Sequence, residues 1–138
     1  MISQTAEYAL RAAVFLAEHP GECFTLPELA NYTKSPQSYL SKVMQELRKA
    51  GIVESQRGLN GGFKLKLSPR KISMYDIIQP VDPIKRILKC PLNNKEHCDK
   101  LCPLHQKIDD VGLELERTFK DTPLLSVTIH HDEVVFKD

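Results

Sequence analysis

The sequence predicts a mainly α fold with a small β-wing: a winged helix-turn-helix domain followed by a long C-terminal dimerisation helix. Three observations carry this. Two amphipathic helices with start signals are joined by a turn of three or four residues. Two short alternating strands around a glycine-rich tip come next. A heptad-like apolar stripe runs from Leu101 to Thr118. The expected divisions are 1–80 for the winged domain, 81–100 for a cysteine-rich loop, and 101–138 for the dimerisation helix and tail.

Residues 3–18 form the first expected helix, with Ala6, Ala9, Leu10, Ala13, Leu16 and Ala17 at helical spacing and His19-Pro20-Gly21 as its stop. Thr25-Leu26-Pro27-Glu28 reads as a capping box with proline in the first turn, opening a short helix to about Tyr32. Ser35-Pro36 reads as an N-cap and first helical residue of the next helix, which continues to Gly51 with Leu40, Val43, Met44 and Leu47 facing inward. IVESQRG and GFKLKLSP are strand-like, and Arg57-Gly58-Leu59-Asn60-Gly61-Gly62 between them is the tip of a wing. Ser73 to Ile78 starts a helix that Pro80 and Pro83 interrupt. A loop precedes a long helix from about Leu101 to Lys120. Leu101, Leu104, Ile108, Val111, Leu115 and Thr118 alternate at three- and four-residue spacing, as a helix pairing with a second copy requires. The tail SVTIHHDEVVF has strand-like composition.

The 138 residues, 41% hydrophobic and 27% charged, suit one domain with an ordinary core. No apolar run reaches the roughly 20 residues of a membrane span. The N-terminus lacks a basic head and carries Glu7, Arg11 and Glu18 within its apolar stretch, so a cytoplasmic protein without a signal peptide is expected. The net charge of +1 hides an asymmetry: residues 34–71 hold nine basic and two acidic side chains, a balance of +7, which leaves −6 for the remainder. A segment so biased suits a phosphate-binding surface, where each neutralised phosphate releases a counterion.

Placed on the elements, the charge points to double-stranded DNA. The N-terminal residues of the second helix of the motif, Gln37, Ser38, Tyr39, Ser41 and Lys42, are the ones able to reach base edges in a major groove. Arg57 at the wing can enter a narrow, electronegative groove, with Gly58, Asn60 and Gly61 permitting close approach. Tyr32 and Tyr39 are equally readable as residues at the core edge. The alternative is a winged helix used for protein contacts.

Cys90, Cys98 and Cys102 are separated by seven and three residues. Three soft thiolates on a loop can wrap an iron–sulfur cluster (2Fe-2S or 4Fe-4S) or one zinc ion, or act as a redox trio without metal. His105, one helical turn after Cys102, shares its face and is a candidate fourth ligand; His97, adjacent to Cys98, is another. Cys23, before the second helix, reads as a buried or incidental thiol. A nucleophilic enzyme using Cys102 and His105 lacks the oxyanion nest and ligand loop such chemistry needs, so no enzymatic activity is expected.

The segments YALRAAVFLAEH, SPQSYLSKVMQELRKAGIV and RGLNGGFKL, with the cysteines before a long helix, resemble the IscR/NsrR-type regulators of the Rrf2 family over residues 1–125. The resemblance implies a homodimer crossing its long helices and repressing operators of dyad symmetry, with an iron–sulfur cluster as sensor. It implies DNA contacts at Ser38, Ser41, Lys42 and Arg57, although Ser41 and Lys42 replace the acidic residue and glutamine of IscR. His105 matches the unusual IscR-type ligand, while Glu7, donated across the dimer, matches the NsrR-type carboxylate. Both familiar cysteine gaps are five residues; here the span of twelve is kept but the middle cysteine is displaced. Nitric oxide, oxygen, iron supply and redox state are the signals the resemblance allows.

Overall fold

The computed structural model describes residues 2–87, 89–90, 92–93 and 102–128. Helix α1 (Gln4–Glu18) begins where the Ser3 hydroxyl accepts from the Ala6 N–H at 3.1 Å. Its inner face is built from Ala6, Ala9, Ala12, Ala13 and Ala17, all fully buried. Small side chains let α3 (Gln37–Lys49) and α4 (Met74–Ile78) approach its backbone closely, so α1 is the centre of the domain. Leu16, Leu29, Leu40, Met44, Leu47, Ile72 and Ile77 fill the core around it, each worth about 1.5–3 kcal/mol of transfer free energy.

Helix α2 (Leu26–Thr33) carries the expected capping box: the Thr25 N–H donates to Glu28 at 2.7 Å and the Glu28 N–H to the Thr25 hydroxyl at 3.4 Å. The turn to α3 is three residues, 34–36. Here the structure corrects the sequence reading by one position. Pro36, not Ser35, occupies the N-cap of α3, and no side chain caps it. The Ser35 hydroxyl is buried inside the turn instead, 3.0 Å from the Thr33 hydroxyl, which itself donates to the Leu29 carbonyl. Pro36 keeps extended backbone at ψ 131°, so the helix can begin only after it. Leu40, Val43, Met44 and Leu47 are the buried face of α3, as expected.

Strands β1 (Val53–Gln56) and β2 (Gly62–Leu65) pair antiparallel, with Val53 opposite Leu65 and Gln56 opposite Gly62. Phe63 forms a further bridge with Phe24 in the α1–α2 turn. A Cβ on Gly62 would stand 2.3 Å from the Phe24 carbonyl oxygen, and its φ of +136° already favours glycine.

Ser73 and Asp76 form a second capping box at α4. Helix α5 (Pro103–Asp121) starts two residues later than expected, with Cys102 at its N-cap. Its far end returns to the winged domain: the Met74 N–H donates to the Thr122 carbonyl at 2.9 Å, and the Leu124 N–H to the Ile72 carbonyl at 2.8 Å. Leu124, in the 3-10 turn Leu124–Val127, is fully buried. The tail beyond residue 128, and Leu101 of the apolar stripe, lie outside the described residues. No described helix is long and apolar enough to cross a membrane.

Candidate nucleic-acid interface and thiol centre

Helix α3 turns Gln37, Ser38, Tyr39 and Lys42 to solvent, and Ser41 is half-buried between them. Because Pro36 offers no capping side chain, the first-turn N–H groups stay available to an acceptor on a ligand. Arg57, Gly58 and Asn60 are exposed at the wing and Gly61 is half-buried. The tip is stiff rather than a loose loop. The Gly61 N–H donates to the Gly58 carbonyl at 3.0 Å, Asn60 takes a left-handed φ of 61°, and a Cβ on Gly61 would meet the Gln56 carbonyl at 2.3 Å. Leu59, not singled out from the sequence, projects from this tip 94% exposed. Lys64 is drawn to Glu54 across the hairpin at 3.4 Å, which reduces its charge toward a ligand. Tyr32 and Tyr39 are both mainly exposed, with Tyr32 stacked on Phe15. Cys23 is half-buried, its thiol directed at the Gln56 side chain 3.5 Å away at the wing base.

The second region lies at the start of α5. The Cys102 sulfur caps the helix by accepting from the His105 N–H at 3.5 Å, and lies 3.0 Å from His105 Nδ1. His105 is only 2% exposed. The His105 backbone N–H and then its ring lower the Cys102 thiol below the ordinary range. Cys102 and then the Lys89 backbone raise the imidazole above its ordinary value. The arrangement therefore favours a thiolate beside an imidazolium, with the thiolate at the positive end of a helix dipole.

Cys90 is half-buried on the chain that approaches this helix end, and its carbonyl accepts from the Asn93 N–H at 2.9 Å. Cys98 and His97 lie outside the described residues. Among the described residues, no three His, Cys, Asp or Glu side chains are gathered as a metal site. Glu7 sits exposed on α1, 3.9 Å from Arg11 on its own helix. Sulfur from Cys90 and Cys102, with the imidazole of His105, is a donor chemistry that fits an iron–sulfur cluster or zinc, and the His105 N–H and ring favour the thiolate form of Cys102.

Sequence reasoning missed Arg86 and Asp109. The Arg86 guanidinium donates to both Asp109 oxygens, through Nε at 2.6 Å and through a second nitrogen, and the Ile87 N–H donates to the same carboxylate at 3.4 Å. A separation of 23 residues carries no local sequence signal for such a pair. Elsewhere on α5, Leu104, Ile108 and Val111 of the apolar stripe are exposed, Val111 by 59%. Beside them runs a groove of about 410 Å³, lined by Ile2, Ile84, Ile87, Ile108 and Leu115 among others.

Comparison with known proteins agrees with this architecture. The profile of the Rrf2 family, described as iron-dependent transcriptional regulators, matches residues 2–129. The HTH-type transcriptional regulator NsrR of Bacillus subtilis is 31% identical over 115 residues, covering 81% of this chain and 79% of its own. The solved structure of T. potens IscR superposes with a TM-score of 0.76 at 23% identity, covering 99% of this chain and 93% of its own. CymR, the global cysteine regulator of B. subtilis, superposes at 0.71 with 24% identity, covering 90% and 92%.

Proposed function

This chain belongs to the Rrf2 family of transcriptional regulators, and we propose that it is a cytoplasmic, homodimeric repressor whose affinity for a double-stranded operator of dyad symmetry is set by an iron–sulfur cluster. Cys90, Cys98 and Cys102 are its cysteine ligands. His105 is the favoured fourth ligand, with Glu7 of a second copy as the alternative. Gln37, Ser38, Tyr39, Ser41 and Lys42 on α3 read the major groove, and Arg57, Gly58, Asn60 and Gly61 bring the wing to the backbone and minor groove.

The observation that carries this reading is the placement of α5. Its N-cap is the thiol Cys102 and its far end is hydrogen-bonded into the winged domain through Thr122 and Leu124. Helix α5 thus links the thiol centre to the winged domain at Ile72 and Met74, beside α4. Its exposed Leu104, Ile108 and Val111 supply a seam for a second copy, which sets the spacing of two recognition helices. Held by Cys90, Cys98 and Cys102, a cluster would supply a centre reactive to redox state, nitric oxide or oxygen. Cys102 would supply a thiolate sulfur, which the His105 N–H and ring favour, and His105 would supply its imidazole nitrogen.

A second reading, a cluster-free thiol or zinc regulator, is favoured by the Cys102–His105 pair, which is a nucleophilic arrangement without metal. Anaerobic purification of the full chain separates the two. Brown protein with sulfide-to-iron charge-transfer bands supports the cluster; colourless protein with one zinc per chain, or none, supports the second reading.

A further inference from the structure

We propose that Asp109 is the positioning residue of the thiol centre: with His105 it forms a two-rung ladder that sets Arg86, Ile87 and Lys89 in reverse order along the start of α5 and so directs Cys90 toward the end of the helix that carries Cys102. This rests on the reading of Cys90 and Cys102 as ligands.

The lower rung is the Asp109 carboxylate, which accepts from the Arg86 fork and from the Ile87 N–H. The upper rung is His105, one turn nearer the helix start, whose ring lies beside the Lys89 backbone, which raises the imidazole. The two rungs agree in pace. From Asp109 to His105 the helix rises about 6 Å, while the two residues from Ile87 to Lys89 span at most about 7 Å. One further residue along the chain is Cys90, and three further back along the helix is Cys102, steps of about 3.5 Å and about 4.5 Å. The covalent reach and the helical rise match over both rungs, so the ladder directs Cys90 toward the Cys102 end of α5.

Several features mark Asp109 as placed rather than incidental. Its side chain is only 16% exposed, although it carries a charge. The pairing is bidentate, so it fixes orientation as well as distance. Three hydrogen bonds, two to one oxygen and one to the other, tie the carboxylate to Arg86 and Ile87 and so to the incoming chain. Ordinary surface ion pairs matter little to stability; the consequence expected here is geometric.

The test uses the full-length apo chain under anaerobic conditions, comparing wild type with Asp109→Ala, Asp109→Asn and Arg86→Gln. Two quantities are read: the cobalt(II) affinity from thiolate-to-metal charge-transfer absorption, and the rate of Cys90 alkylation by N-ethylmaleimide, resolved by peptide mass. Loss of the ladder should weaken cobalt binding by about 10- to 100-fold, the usual effect of removing an outer partner, and should speed alkylation several-fold at Cys90 but not at Cys23. The double exchange Arg86→Asp with Asp109→Arg should recover part of both. Should Asp109→Ala fail to fold, Asp109→Asn and Arg86→Gln, which remove charge with little change in volume, decide the matter. Wild-type cobalt affinity and alkylation rate in folded variants would overturn the proposal. A wild type that binds no cobalt would instead overturn the ligand reading, and the alkylation rates would still decide the ladder.

Discussion

Phe24 and Phe63 exchange both of their backbone hydrogen bonds, at 2.9 and 2.7 Å, so the wing is strapped to the turn between α1 and α2. Gly62 is the residue that lets the strap close, because any Cβ there would strike the Phe24 carbonyl. Gly62→Ala should therefore open the strap and swing the wing while leaving the helical core intact. Operator affinity, read by fluorescence anisotropy, should fall at least about tenfold, the scale of a lost 1.4 kcal/mol, with an unchanged far-ultraviolet circular dichroism spectrum. Unchanged affinity would remove the wing from the DNA interface.

Arg57 stands exposed at the base of that stiff tip. Arg57→Ala should weaken operator binding and, if the guanidinium neutralises one phosphate, lower the slope of log K against log salt by about one unit. Titrations at several salt concentrations check this. A drop in affinity with an unchanged slope would assign Arg57 to base or shape readout instead.

Ile108 and Val111 lie side by side on the exposed stripe of α5. Replacing both with glutamate would bury unpaired charges in a helix–helix seam, which is strongly destabilising. Sedimentation should show a monomer that retains the helical content of the wild type. An intact dimer would place the association surface elsewhere.

The Arg86 fork holds the Asp109 carboxyl below the usual carboxylate range. The folded chain therefore binds this proton more weakly than the unfolded chain does. The resulting stabilisation is complete above the unfolded value, near ~4, and is lost as pH falls through the lower folded value. The Tm difference between wild type and Asp109→Asn should be constant at neutral pH and close in acid. A difference that persists undiminished in acid would assign the effect to packing rather than to the ion pair.

The elements most legible in the sequence were those written in local chemistry. Thr25 with Glu28, and the Leu40–Val43–Met44–Leu47 face, depend on neighbours three or four positions away, and both stand as expected. Ser35 misled because a serine before proline suits a cap equally well as a buried turn hydroxyl, and only the packing of Thr33 against it decides. Cys102 and His105 were readable as a pair for the same local reason. Arg86 with Asp109, and Phe24 with Phe63, join residues far apart in the chain, where no periodicity records the contact.

The most direct measurement is the operator Kd of one protein preparation with its cluster intact and again after anaerobic removal of that cluster. If α5 couples the thiol centre to the recognition helices, the two values should differ by about 5- to 150-fold, the range of ordinary allosteric coupling, and Cys102→Ala should abolish the difference. Equal affinities of a demonstrably loaded and a demonstrably stripped dimer would contradict cluster control of DNA binding.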